Sequence, residues 1–189
     1  MDVTRRFSVA EAAIPGVFVL ERHLLGDSRG YLERLYCSEE LASLVGAERI
    51  EQVNHTLTRK TGTVRGLHYQ RPPHAEIKIV SCIRGAVYDV VVDLRKGSPH
   101  FLRWHAEMLS ADNHKTLIVP AGFAHGFQTL SDDCEMLYFH TAKYAPEAES
   151  GINALEPRVG VAWPREISER SPRDESHGML AADFGGIRL

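Results

Sequence analysis

Short runs of β-branched and apolar residues, separated by clusters of Gly, Pro, Asp, Asn and Ser, fill this chain from about residue 50 to 141. Residues 56–63 are β-branched and polar, and 77–82 alternate loosely. Residues 86–93, Ala-Val-Tyr-Asp-Val-Val-Val-Asp, predict a strong strand behind Gly85. Strand-like segments at 102–109, 116–119, 126–130 and 135–141 follow at similar spacing. Earlier in the chain, residues 17–20 predict a short strand after Pro15-Gly16, and 26–30 a turn by composition. Residues 38–45 predict a short helix. Ser38 suits its cap, Glu39 and Glu40 its first turn, and Leu41, Leu44 and Val45 share one face. Residues 146–164 read as loop and short-helix territory. The polar, irregular tail from Arg165 is expected to pack back over the rest. Many short strands at regular intervals with turn signals between them indicate a sandwich or barrel. No repeat, low-complexity run or linker divides the sequence. The expectation is one all-β domain over residues 1–189, with short peripheral helices.

Composition narrows what such a barrel does. The 189 residues are 43% hydrophobic and 25% charged, ordinary for a soluble globular protein, and enough to bury a core without disulfides. A formal charge of −3 and the lack of a long basic run leave no electrostatic footprint for nucleic acid. Cys37, Cys82 and Cys134 are an odd number without CxxC spacing, which argues against structural disulfides and a thiolate zinc site and fits a reducing cytoplasm. The first residues lack a signal peptide's apolar stretch, and no apolar run approaches the ~20 residues of a membrane span.

Candidate chemistry gathers at two glycine-bearing histidine segments, Arg65-Gly-Leu-His68-Tyr-Gln70 and Pro120-Ala-Gly-Phe-Ala-His125-Gly-Phe127. An imidazole inside a barrel can move protons near neutral pH, and Arg65 puts a fixed positive charge beside it. Alone, His68 reads more readily as a satisfied core histidine than as a base. The neighbouring Arg65, Gln70 and Lys78 shift that balance, because arginine and lysine on one concave face suit phosphate oxygens. His125 lies in the Pro-x-Gly-x-x-His pattern of the second cupin motif, where histidine often binds metal. The first motif's His-x-His pair is missing here, so too few ligands converge for a catalytic metal. Tyr138 can donate a proton to a developing enolate, or be a core aromatic. Tyr144 can stack on a base or sugar, or simply pack. Asp174 in Ser-Pro-Arg-Asp can orient His68. No phosphate loop, nucleophile elbow or Rossmann fingerprint is present.

With these stretches in hand, the chain resembles the dTDP-4-dehydrorhamnose 3,5-epimerase family. The matching segments are Asp27-Ser-Arg-Gly-Tyr31, Gln52-Val-Asn54, residues 64–70, Lys78-Ile-Val, residues 85–95, Ser98-Pro99, residues 120–127, Leu137-Tyr138, Tyr144-Ala-Pro146 and Trp163-Pro164. They run in family order over nearly the whole chain. The resemblance implies a cupin-type β-jelly roll, as a homodimer in which an N-terminal strand crosses to the partner. It implies epimerisation of a nucleoside-diphospho-4-keto-6-deoxy sugar with no cofactor and no metal. By the same likeness, His68 is the base, Asp174 its orienting carboxylate and Tyr138 the acid on the opposite face. Arg65, Lys78 and His125 bind and polarise the substrate, with Lys78 near the C4 oxygen. Arg29, Gln52, Asn54, Tyr144, Glu149 and Arg173 match further contact positions.

The likeness has departures. A glutamate common after the Arg-Gly-aromatic turn is either Glu33, shifted by one, or replaced by Arg34. A Trp-Asp-Pro is here Leu155-Glu156-Pro157, and the tail's Lys-Asp is Arg173-Asp174. These leave open whether C3, C5 or both are inverted. A single-carbon epimerase, a metal-dependent cupin and a non-catalytic sugar-binding jelly roll remain the alternatives.

Overall fold

A computed structural model describes residues 6–189. Thirteen strands and two short helices follow one another as β1 (Phe7–Glu11), β2 (Phe18–Arg22), β3 (Leu25–Asp27), β4 (Gly30–Leu32), α1 (Ala42–Val45), β5 (Gln52–Thr58), β6 (Val64–Gln70), β7 (Lys78–Arg84), β8 (Ala86–Asp93), β9 (Trp104–Ser110), β10 (Lys115–Val119), β11 (Phe123–Thr129), β12 (Cys134–His140), β13 (Glu149–Gly151) and α2 (Pro172–Ser176). Two antiparallel sheets face each other, ordered β1-β2-β10-β7-β12-β5 and β13-β6-β11-β8-β9. The β3–β4 hairpin stands apart as its own two-stranded sheet. This is the jelly-roll architecture expected of the chain.

Apolar side chains fill the space between the sheets: Val80 and Cys82 from β7, Val87 and Val91 from β8, Leu117 and Val119 from β10, Phe123 and Phe127 from β11, and Met136 from β12. Both sheets are covered on their outer faces as well. Leu20, Ile79 and Ile118 pack beneath Leu41 and Val45 at α1. Leu67, Val90, Val92 and Ala124 pack beneath Trp163, Leu180, Phe184 and Ile187 of the returning tail. A strand buried on both faces needs no polar side, so β7 and β8 read as apolar runs rather than clean alternation. Among the described residues, no helix is long and apolar enough to cross a membrane.

The sequence predicts none of β1, β3, β4 and β13, β11 begins three residues before its expected start, and two further elements are displaced for a visible reason. Residues 38–41 form a turn, and the helix begins at Ala42 behind Leu41 with no side-chain cap. Glu40 is instead drawn to the Arg6 backbone N–H and to the Arg34 guanidinium, which holds the segment outside helical geometry. β5 starts at Gln52 and stops at Thr58, because β12 pairs with it along that length and no further. Residues 59–63 then turn, tied by Thr61 to Asp132.

Candidate active site

A cleft of about 920 Å³ opens where the inner faces of the two sheets change from apolar to polar. β12 shows the gradient at spacing two: Met136 lies in the core, while Tyr138 and His140 line the cleft. β7 does the same in reverse, from Lys78 in the cleft to Val80 and Cys82 in the core. β5 contributes Gln52, Asn54, Thr56 and Thr58. The size suits a drug-sized or nucleotide-sized ligand.

Arg65 and His68 both line this cleft although they are three residues apart, a spacing that places strand side chains on opposite faces. A β-bulge resolves the conflict. His125 pairs with His68, but Phe127, two residues on, pairs with Arg65, three residues back. The extra residue on β6 returns Arg65 to the concave face. Two motif glycines make this possible. A Cβ on Gly126 would lie 2.5 Å from the Arg65 carbonyl oxygen, and one on Gly66 would lie 2.6 Å from the Gly126 Cα. Gly66 also has φ +124°, a conformation that favours glycine.

His68 faces a carboxylate. Its Nε2–H donates to Asp174 Oδ1 at 2.6 Å, while Asp174 Oδ2 accepts from the Gly66 backbone N–H at 3.2 Å. This assignment follows from the partner: an ionised carboxylate only accepts, so the proton sits on Nε2 and the lone pair on Nδ1. Asp174 arrives from the tail on α2, capped by the Ser171 hydroxyl, which accepts from the Asp174 N–H at 3.1 Å. Burial works against its ionisation. The His68 hydrogen bond and charge, the Gly66 N–H and the Arg173 guanidinium outweigh that and hold its carboxyl below the usual range.

The opposite wall belongs to the other sheet, which carries Tyr138 and Lys78, while His125 and Asp89 stand on the His68 sheet. Tyr138 lies on β12, edge-on to His125 with ring centroids 6.2 Å apart. Burial, opposed only in part by the Arg65 charge, pushes its phenol well above the ordinary tyrosine range, so it stays protonated. His125 Nε2–H donates to both oxygens of Asp89, at 2.8 and 3.0 Å, and both residues are buried. Burial raises the Asp89 carboxyl, against the lowering pull of His125 and Lys78. The Lys78 ammonium donates to the His68 carbonyl at 3.3 Å and lies 3.5 Å from Glu76, whose carboxylate also accepts from His140 Nδ1 at 3.0 Å.

At the rim, the Tyr144 hydroxyl donates to Glu149 at 2.6 Å, and Glu149 accepts from Arg173 at 2.9 and 3.1 Å. The Tyr144 backbone N–H donates to Gln52, and Gln52 in turn donates to Asn54. Gln70 is buried and pins this loop, donating to the Lys143 carbonyl and accepting from the Ala145 N–H.

Eleven of the twelve residues singled out from the sequence therefore line one cleft: His68, Tyr138, Asp174, Gln52, Asn54, Arg65, Lys78, His125, Tyr144, Glu149 and Arg173. Arg29 does not. It lies at the tip of the β3–β4 hairpin, largely exposed, with its guanidinium on Asp27. Glu33 and Arg34 are also away from the cleft lining. Glu33 accepts from Arg22 and His114, and Arg34 pairs with Glu40. Glu156 is buried and caps the Leu180 and Arg158 N–H groups, a structural task. Sequence reasoning missed Asp89, Glu76 and His140. Asp89 carried a signal, an acid inside an apolar strand, which needs a partner when buried. Glu76 and His140 carried none.

A family model described as dTDP-4-dehydrorhamnose 3,5-epimerase matches residues 11–182. The dTDP-4-dehydrorhamnose 3,5-epimerase of Salmonella typhimurium is 40% identical over 174 residues, 91% of this chain and 94% of that protein. The dTDP-4-dehydrorhamnose 3-epimerase of Streptomyces niveus is 34% identical over 169 residues, 89% of this chain and 81% of that one. Among solved structures, the 3,5-epimerase of Legionella pneumophila in complex with dTDP-4-keto-L-rhamnose superposes with a TM-score of 0.90 at 33% identity, over 97% of this chain and 98% of that one.

Proposed function

The chain belongs to the dTDP-4-dehydrorhamnose 3,5-epimerase family, and from that premise we propose that it inverts C3 and C5 of dTDP-4-dehydro-6-deoxy-D-glucose without a cofactor. The observation that carries this reading is His68 on one sheet, backed by Asp174 of α2, facing a protonated phenol, Tyr138, on the other sheet across one cleft. Inversion needs a base and an acid on opposite faces of the carbon, and the two sheets supply one each.

The steps follow from the groups. His68 Nδ1 takes the proton from the carbon α to the C4 ketone, and the electron pair moves into an enolate. Asp174 accepts the hydrogen bond from Nε2–H throughout and stabilises the imidazolium. The C4 oxygen gains charge as the proton leaves, so a donor aimed at it lowers the barrier. Lys78 is the donor for that oxygen, in a site where such a contact supplies a few kcal/mol. Tyr138 returns a proton to the other face. His68 then gives up its proton to solvent water and Tyr138 regains one from it, and the reset pair repeats the cycle at the second α carbon, inverting both. Arg65, His125 on its Asp89 support, and the Gln52–Asn54–Tyr144–Glu149–Arg173 rim hold the nucleotide sugar.

The solution form we propose is a homodimer in a cytoplasmic compartment. The β3–β4 hairpin supports the first part: Leu25, Tyr31 and Leu32 are exposed apolar residues on a hairpin that, among the described residues, pairs only with itself. Arg29 at its tip is then the group that reaches the partner's cleft. Three free cysteines, two of them buried, support the second. Light scattering on a sizing column tests the dimer.

Proton NMR in deuterated water with the 4-keto-6-deoxy nucleotide sugar tests the chemistry. Loss of both the C3 and C5 proton signals is expected. Loss of one selects the single-carbon reading, the activity for which the Streptomyces niveus relative is named. Loss of neither overturns both.

A further inference from the structure

Three residues after Asp174 lies a histidine that the proposed chemistry does not use. His177 follows the last residue of α2, and its ring packs edge-on against His68, with centroids 5.9 Å apart. It lies over Gly151, where any Cβ would collide with the ring. Its Nε2 is sealed from solvent and makes no hydrogen bond with any described residue. A nitrogen in that state needs a partner, since a buried polar atom left unpaired is unfavourable.

The His68, Asp174 and His177 side chains each offer a ligand atom, and these atoms lie within 4.8 Å of one another. We infer that these three residues form a binding site for a divalent transition-metal ion, Zn²⁺ above all, and that the bound ion switches the epimerase off. Two imidazoles and a carboxylate are a zinc donor set, with a fourth position left for water. Zinc bonds of about 2.0–2.2 Å bring tetrahedral ligand atoms to roughly 3.3 Å apart. His68 and Asp174 must open slightly from 2.6 Å to meet that, and His177, at the end of a five-residue helix, must close.

Inhibition follows from proton placement. A neutral imidazole has one N–H and one lone pair. With Nε2 hydrogen-bonded to Asp174, the lone pair on Nδ1 is the base. When Nε2 coordinates the ion, its lone pair is used in that bond, and the proton it held moves to Nδ1. No proton is gained or lost overall, but the nitrogen assigned to take the substrate proton now carries one. Asp174 exchanges an accepted hydrogen bond for a metal bond. The same two atoms therefore serve either proton transfer or metal binding.

The inhibitory part rests on the proposed function, and the binding part does not, so the two are measured separately. The protein, carrying Cys37→Ser to remove its partly exposed thiol, is stripped with EDTA. It is then titrated with ZnCl₂ by calorimetry and with CoCl₂ by visible absorption. One equivalent should bind, with cobalt bands of a four- or five-coordinate N/O site. Loss of a single outer-shell partner weakens metal sites about 10–100-fold, so loss of a ligand in His177→Gln or His68→Asn should weaken binding at least about tenfold. The second variant keeps the inference testable should the first fail to fold. Deuterium exchange into the nucleotide sugar should fall in step with zinc occupancy and return on adding EDTA, and His177→Gln should need correspondingly more zinc. No saturable binding, or binding undiminished in both variants, overturns the site. Full occupancy with unchanged exchange overturns the switch. A protein that exchanges nothing even when metal-free refutes the epimerase reading and leaves the binding result standing.

Discussion

Replacing Asp174 by Asn should damage the enzyme at least as severely as replacing it by Ala, although Asn is nearly isosteric. Asp174 is 2% exposed and uses its oxygens on two different donors, His68 Nε2–H and the Gly66 N–H. An amide has one acceptor and one donor end, so it has two ways to fit. With oxygen towards His68, its NH₂ meets the Gly66 N–H, donor against donor, in a buried place. That mismatch costs about 1–3 kcal/mol. With oxygen towards Gly66, every group is satisfied, but the NH₂ then demands a lone pair on His68 Nε2. The proton shifts to Nδ1 and the base is lost. The competent tautomer is thus a minor one, by about 5–150-fold for that cost. Loss of the charge-assisted bond to the imidazolium removes about 1.5–3 kcal/mol more. Together these amount to about 2.5–6 kcal/mol, or two to four orders of magnitude in turnover at about 1.4 kcal/mol per decade. Asp174→Ala loses the charge but enforces neither tautomer. The assay is the initial rate of C3 and C5 proton exchange in deuterated water for the three proteins, with circular dichroism to check folding. An Asp174→Asn enzyme within tenfold of wild type, or clearly better than Asp174→Ala, would refute the tautomer argument.

Other consequences can be checked directly. Tyr138→Phe should keep exchanging protons through His68 while losing inversion, with epimerised product down by about 10²–10⁴-fold; NMR separates the two, and unimpaired product formation would remove Tyr138 as the acid. Gly126→Ala sets a methyl against the Arg65 carbonyl and the Gly66 Cα, backbone that cannot move aside. It should cost about 1–3 kcal/mol, read as a fall in Tm of about 2–4 °C per kcal/mol. Asp93, fully buried and bonded to Arg95 and Ser98, is held below the ordinary carboxyl value of 3.8 despite its burial. A depressed native pKa contributes stability above that value, and it is lost as the pH falls through it. Asp93→Asn should therefore be less stable than wild type at neutral pH, by about 1–3 kcal/mol, and the gap in Tm should narrow below about pH 4. A gap constant with pH would assign the effect to packing instead.

The sheets were legible because their signal is local. Apolar runs bounded by turn residues mark the long strands whichever partners they find; the short strands β1, β3, β4 and β13 went unpredicted, and a partner decided the bounds of β5, which ends where β12 stops pairing. The helix at 38–45 shrank for a related reason: Glu40 serves Arg6, 34 residues away, and Arg34, outside the helix, rather than its own first turn. Pairing across long sequence distance is invisible to periodicity. Asp174 and His68 are 106 residues apart, and only the family likeness made the tail's path worth a guess.

The bulge is the sharper lesson, because strict alternation gives the wrong answer there. Arg65 and His68 should face opposite ways by spacing alone. Both line the cleft because Gly66 and Gly126 let two backbones meet closely enough for β6 to gain a residue against β11. The glycines in Arg-Gly-x-His and His-Gly are thus two halves of one device, and neither half is interpretable without the other. Each histidine segment carries its glycine beside the catalytic-type side chain because the crossing sets that side chain's direction. A methyl at either glycine must then disturb Arg65, His68 and His125 together, so Gly126→Ala should lose exchange activity by more than its fall in stability accounts for. Exchange measured well below the variant's Tm makes that comparison, and a fully active Gly126→Ala protein would show that the crossing supports the fold without aiming the site.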